Sequence, residues 1–161
     1  MKIRFYSLIL FSLLLVACSD DETLEVGDIQ SFVFGHSYGE CLGDDCIITF
    51  KIEGEQLFKD TYQQYGYCQN PNYKDDGFEL QPDSSYQKVK DLISQIPAEL
   101  LEQAEGTIGM PDAYDQGGIQ IQITTSNGTK CWFIDNDDQN IPDFLHNFND
   151  TIRDHINELM N

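Results

Sequence analysis

Asn127-Gly128 is the strongest short hairpin signal in the chain, because a two-residue turn that needs positive φ is most easily made by Asn and Gly. Its flanks agree with it. Ile119, Ile121 and Ile123 alternate with Gln120, Gln122 and Thr124 before it, and Trp132 and Ile134 alternate with Cys131 and Phe133 after it. Period-two patterning of this kind puts one set of side chains on each face of a strand. A turn centred on Asn127-Gly128 pairs Ser126 with Thr129, Ile123 with Trp132 and Ile121 with Ile134, so four large residues share one face. Cys131 and Phe133 point the other way, so the second face is not simply solvated.

The remaining segments must complete a sheet around this hairpin and cover it. Residues 30–38 alternate, with Phe32, Phe34 and Tyr38 opposite Ser31, Val33 and Ser37. Residues 46–53 place Ile48, Phe50 and Ile52 on one face, and residues 56–62 follow the turn Glu53-Gly54-Glu55. These three strands are expected to form an antiparallel meander. Residues 65–82 have no clean period and carry Asn70-Pro71-Asn72 and Asp75-Asp76-Gly77, so they read as a long loop. Asp83-Ser84-Ser85 offers an N-cap, and Tyr86, Val89, Ile93 and Ile96 follow at helical spacing. Pro97 ends that helix and starts a short piece over residues 97–103. Residues 106–118 read as irregular. After the acidic turn 135–140, Pro142 opens a last helix whose apolar stripe is Ile141, Leu145, Phe148, Ile152, Ile156 and Leu159. The order β-β-β-α-β-β-α predicts a single α+β domain, an antiparallel sheet of about five strands with two helices packed on one face.

The N-terminus concerns targeting rather than fold. Lys2 and Arg4 precede an apolar run over residues 5–16, too short to span a bilayer and suited to the core of a signal peptide. The run ends in Leu15-Val16-Ala17-Cys18, which resembles the bacterial lipobox. That resemblance implies that residues 1–17 are removed and that Cys18 is acylated. Ser19-Asp20-Asp21-Glu22 is similar to the acidic export signal of Bacteroidetes-type lipoproteins, which implies display at the cell surface. Residues 18–28 then form an acidic tether and residues 29–161 the domain. Removal of 1–17 would leave 7 Lys and Arg against 28 Asp and Glu, a net charge of −21. So negative a surface repels nucleic acid and anionic lipid, leaving acyl chains, at about 0.8 kcal/mol per buried methylene, as the link to the outer membrane.

Cys41, Cys46, Cys68 and Cys131 remain once Cys18 is assigned to lipid. Four cysteines in an oxidising compartment read as two disulfides with three possible connectivities. The local pair Cys41–Cys46 is favoured, because Leu42-Gly43-Asp44-Asp45 can turn the chain back, and this leaves Cys68–Cys131. The spacing fits no strong zinc pattern.

Chemistry-bearing groups are sparse. Asp112 and Asp115, in a glycine-rich stretch, are weak candidates for a cation or ligand site; the competing reading is a turn in which glycine takes positive φ and aspartate caps the backbone. Asp135 and Asp137 echo the start of a calcium loop, but the sixth-position glycine is missing and position twelve is His146 rather than glutamate. No cofactor is expected, with calcium the weakest alternative. His36, His146 and His155 form no motif, and no nucleophile motif is present, so no catalytic residue is assigned.

The run Gly109-Met110-Pro111-Asp112-Ala113-Tyr114-Asp115-Gln116-Gly117-Gly118, with Trp132-Phe133-Ile134-Asp135, Ile141-Pro142 and Leu145, resembles a family of small Bacteroidetes lipoproteins of unknown function. Phe34-Gly35, Gly39, Cys41, Gly43, Cys46 and Phe50-Lys51-Ile52 fit the same family, over residues 30–160. In that family cysteines often stand where this chain has Met110 and Ala113, which puts a thiol-based role at this loop out of reach here. The resemblance implies a compartment and a domain extent, not an activity. The expectation is a monomeric, non-catalytic binding module for an unknown protein or small-molecule ligand; Tyr62, Tyr65, Tyr67 and Tyr73 offer an aromatic binding surface or, the favoured reading, pack over the open face of the sheet. The alternatives are a metal-dependent hydrolase using Asp112, Asp115 and Asp135, and an inhibitor or immunity-type lipoprotein whose acidic face blocks a basic target.

Overall fold

The computed structural model describes residues 26–43, 45–63 and 75–161. The expected signal peptide, Cys18, most of the tether, Cys68, Tyr65, Tyr67 and Tyr73 lie outside the described residues. Seven strands, β1 (Ser31–Ser37), β2 (Ile47–Glu53), β3 (Gln56–Asp60), β4 (Phe78–Leu80), β5 (Gly106–Ile108), β6 (Gly118–Thr125) and β7 (Gly128–Asp135), form one sheet in the order β4-β3-β2-β1-β6-β7-β5. Three α-helices accompany them: α1 (Asp83–Val89), α2 (Ala98–Glu102) and α3 (Asp143–Met160).

The α+β class is as expected, but the sheet is larger than the five antiparallel strands predicted, and it is mixed. Strand β4 continues the meander beyond β3, with Asp60 opposite Phe78, and β5 lies parallel to β7, with Gly106 opposite Trp132. Both come from stretches expected to be irregular. Each is three residues long, too short for a period to show, and each is held by pairing to a distant strand rather than by its own sequence.

The hairpin forms with a different register. Thr125 faces Gly128, Ile123 faces Lys130, Ile121 faces Trp132 and Ile119 faces Ile134. The turn residues are therefore Ser126 and Asn127, neither at positive φ, and Gly128 follows them at φ 137°. The Thr125 hydroxyl supports this turn, accepting from the Asn127 N–H at 3.2 Å. The shift preserves the parity of every pair. Ile119, Ile121, Ile123, Trp132 and Ile134 still share one face, all at most 1% exposed.

That face is the core. Phe32, Phe34, Ile48, Phe50, Ile52 and Leu57 from the other strands join it. From the helical layer come Val89, Leu92, Leu100, Leu145, Phe148, Ile152 and Ile156. Burying each side chain of this size contributes about 1.5–3 kcal/mol, and α3 lays down its stripe as its spacing predicts. The expected first helix is interrupted: α1 stops at Val89, a 3-10 turn follows at Ile93–Gln95, and α2 begins after Pro97. The residue preceding α1 is Pro82, and no side chain caps it. The second sheet face is also partly dry, since Val33, Thr49, Gln120 and Phe133 are buried. No helix among the described residues is long and apolar enough to cross a membrane.

Candidate functional site

Three loops meet at one end of the sheet. Strand β1 ends at Ser37, level with Ile47 of β2 and Gly118 of β6, and Gly118 is level with Asp135 of β7. The loops 38–46, 109–117 and 136–142 all leave from this edge. Because β5 lies outside β7 while β6 lies inside it, the segment 109–117 must cross over the end of β7. Asp135, the last residue of β7, is therefore roofed by the crossing loop and is fully buried.

A buried carboxylate is tolerable only when its lone pairs are filled. Four donors fill them. The backbone N–H of Met110 gives to Oδ2 at 2.9 Å and the side-chain amide of Asn140 to the same oxygen at 2.8 Å. The backbone N–H of Asp137 gives to Oδ1 at 2.9 Å and the Gln116 amide at 3.3 Å. Burial acts to raise the Asp135 pKa and is the largest single influence, but these four bonds outweigh it and hold the group below the ordinary carboxylate range. Behind it, the Asn149 amide on α3 donates to the Asp135 backbone oxygen at 3.0 Å, and Arg153 donates to the Asn136 backbone oxygen. One aspartate thus ties the crossing loop, the β7–α3 loop and the end of the sheet together.

The crossing loop is built for close approach. Gly109 takes φ 79°, and a Cβ there would lie 2.7 Å from the Asp135 Cβ. Asp112 and Asp115 take φ 60° and 59°, left-handed conformations that aspartate tolerates better than most residues. The Asp112 Oδ1 accepts from the Gly117 N–H at 3.1 Å. Gly39 lies hard against the Asp112 carboxylate and Gly117 against the Tyr38 ring, so the crossing loop and the β1–β2 loop touch.

Cys41 and Cys46 close the β1–β2 loop by a disulfide, as the local spacing predicts, with Cα atoms 5.6 Å apart. Cys131 is disulfide-bonded too; its expected partner, Cys68, lies outside the described residues. His36, beside this loop, bonds through Nε2 to the Asp45 backbone oxygen at 3.0 Å. Burial lowers its pKa, against the opposing pull of Asp45.

Over the Asp135 cluster lies an open hollow of about 480 Å³, lined by Met110, Tyr114, Gln116, Asn136, Asp137 and Asn140. Its rim carries two large, exposed side chains, Tyr114 at 82% and Met110 at 53%. The candidate carboxylates do not share a centre. Asp135 is spent on internal donors, Asp137 Oδ1 accepts from the Gln139 N–H, Asp112 serves the Gly117 turn and Asp115 is exposed. Among the described residues no group of three or more His, Cys, Asp or Glu side chains is placed to hold a metal ion.

Of the residues that line the hollow, the sequence marks Asp137 as a candidate ligand and Met110, Tyr114 and Gln116 only as part of the glycine-rich run. Asp135-Asn136-Asp137 carried one usable signal, the Asx turn in which an aspartate accepts from the N–H two residues on. Nothing local marks the roles of Gln116, Asn140 or Arg153, which depend on the crossing. Comparison of the chain with protein-family models, with curated proteins and with solved structures gives no match.

Proposed function

We propose that this protein is a lipoprotein of the outer membrane, anchored by acyl chains on Cys18, whose domain is a non-catalytic binding module that presents its three-loop end to the exterior. The observation that carries the reading is the direction of β1. The described chain leads into β1 at Ser31, level with Glu53 and Thr124, and leaves it at Ser37 among the loops. A strand of this length spans about 20 Å at about 3.3 Å per residue. An anchor preceding β1 would thus join the end of the sheet opposite the hollow. Loops displayed on a rigid sheet, with a concave surface between them, are the usual place for recognition.

The hydrolase reading has less support. A water-activating site needs a carboxylate with free lone pairs beside a metal or a second acid. Asp135 has its oxygens occupied by four N–H donors.

Metabolic labelling with a fatty acid, followed by protease treatment of intact cells, tests the proposal. The label is expected on the chain and absent from Cys18→Ala, and the labelled domain is expected to be cut from intact cells. Retention of label by Cys18→Ala would remove the anchor, and protection from protease would remove surface display. Exposure of the loop end is read by biotinylation of a cysteine placed at Asp138 in intact cells, where no reaction would overturn the orientation.

A further inference from the structure

We infer that the three-loop end binds a basic polypeptide segment, seating a Lys or Arg side chain in the hollow with its alkyl stem along Met110 and Tyr114 and its charged head at Asp137. This rests on the binding-module reading above and names the class of its partner.

Charge is the first argument. Among the described residues the three loops carry Glu40, Asp45, Asp112, Asp115, Asp137 and Asp138, and no Lys or Arg. Lys59 reaches Met160, Lys88 the Glu158 backbone oxygen and Lys130 the Leu101 backbone oxygen. Arg153 stands at the edge of the hollow, donating to Asn136, and is paired with Asp150. Carboxylates therefore predominate at this end, which speeds the approach of a cationic partner and repels an anionic one.

Hydrogen-bond capacity is the second. Several donors at the hollow carry internal bonds, while the Tyr114 hydroxyl and a second N–H on each of Asn136 and Asn140 remain. Both Gln116 amide protons are used, one to the Met110 oxygen at 3.1 Å and one to Asp135. The Asn136 amide donates to the Gln116 oxygen at 2.8 Å and the Asn140 amide to Asp135. The one charged side chain lining the hollow is the exposed Asp137 carboxylate, an acceptor. An ammonium or guanidinium head offers only donors and a positive charge that this carboxylate can pair, whereas a neutral sugar leaves the charge unpaired.

The third is the apolar rim. A lysine or arginine stem is itself apolar, and a cation over an aromatic face gains about 0.5–2 kcal/mol. Tyr114 and Met110 supply such a wall beside Asp137. Leu42, fully exposed at the tip of the disulfide-closed loop, extends the apolar surface beyond the hollow, as a polypeptide would use and a small cation would not.

Binding of the full chain to immobilised deca-lysine and deca-arginine, with a panel of neutral oligosaccharides alongside, tests this. Tyr114→Ala combined with Asp137→Asn is expected to weaken peptide binding about tenfold, as the loss of a cation–π contact and a charge pair implies. Asp83→Asn on α1 removes the same charge elsewhere and is expected to change it less than about twofold. Unchanged thermal melting of both variants excludes misfolding as the cause. Equal weakening by both variants, or no binding of either peptide, overturns the inference, the first because only diffuse net charge would be acting. Oligosaccharide binding that Tyr114→Ala abolishes, without peptide binding, also overturns it but leaves the binding-module reading standing. If loop-end substitutions alter binding of neither class, both readings fall.

Discussion

The Met110 backbone N–H donates to the Asp135 carboxylate at 2.9 Å, and through that bond a loop that crosses the end of one strand is pinned to the strand beneath it. The segment 109–117 passes over β7 because β5 and β6 flank it on opposite sides. Without an acceptor at the end of β7, two backbone donors and two side-chain amides would lose their partner there.

Asp135→Ala is therefore expected to cost about 3–5 kcal/mol, since several buried donors lose a charged acceptor at once. Asp138→Ala, at an exposed position in the same loop, is expected to stay within about 0.5 kcal/mol. Urea unfolding of the two variants measures the difference, and similar midpoints would refute the central place given to Asp135.

The same aspartate and His36 predict two steps in stability as pH falls. His36 has a lowered folded-state pKa because burial disfavours its charged form. Its unfolded form then takes up protons first, so stability is full above about pH 6.5 and declines as pH falls below that toward the folded value. Asp135 is also lowered, its donors outweighing its burial. Its contribution is full above the unfolded carboxylate pKa of about 4 and is lost as pH falls through the lower folded value. Melting temperature against pH should show both declines, with His36→Gln removing the upper one and Asp135→Asn the lower.

Gly109 combines positive φ with contact against Asp135. Gly109→Ala is expected to destabilise by about 1–3 kcal/mol, because strain and overpacking add. Gly27 has open space around it and carries no such constraint, so Gly27→Ala should be near neutral. Thermal unfolding of the pair separates these outcomes.

The Cys41–Cys46 disulfide closes a short loop. Replacing both cysteines by serine is expected to lower stability by about 2 kcal/mol through the unfolded-chain entropy of so small a ring. It should also weaken peptide binding at the loop end, where Leu42 is held. A stability loss with binding unchanged would remove Leu42 from the contact surface.

Much of the fold was legible because it is local. Alternating apolar residues placed β1, β2, β6 and β7, and the turn at Gly54 placed β3. The three-and-four spacing of Leu145, Phe148, Ile152 and Ile156 placed α3, and the five-residue separation of Cys41 and Cys46 placed a disulfide. The hairpin turn was legible in kind but displaced, because Asn-Gly at the centre of a turn and Gly just after it satisfy the same face parity. Thr125 and Gly128 decided between them.

The site was scarcely legible. Asp135 could be seen as a turn residue, but its donors come from positions 110, 116, 137 and 140, and two of those lie across a chain crossing. Strands β4 and β5 are too short to show a period and are held by distant partners, and the parallel pairing of β5 with β7 is what sends the loop over Asp135. Periodicity, turn chemistry and charge are properties of neighbouring residues, and the sequence by itself determined the α+β class, the core face, the acidic surface and the local disulfide. Which strand lies beside which is settled only when the whole core packs, and from that order alone follow the roofed aspartate, the hollow above it and the single edge at which three acidic loops meet.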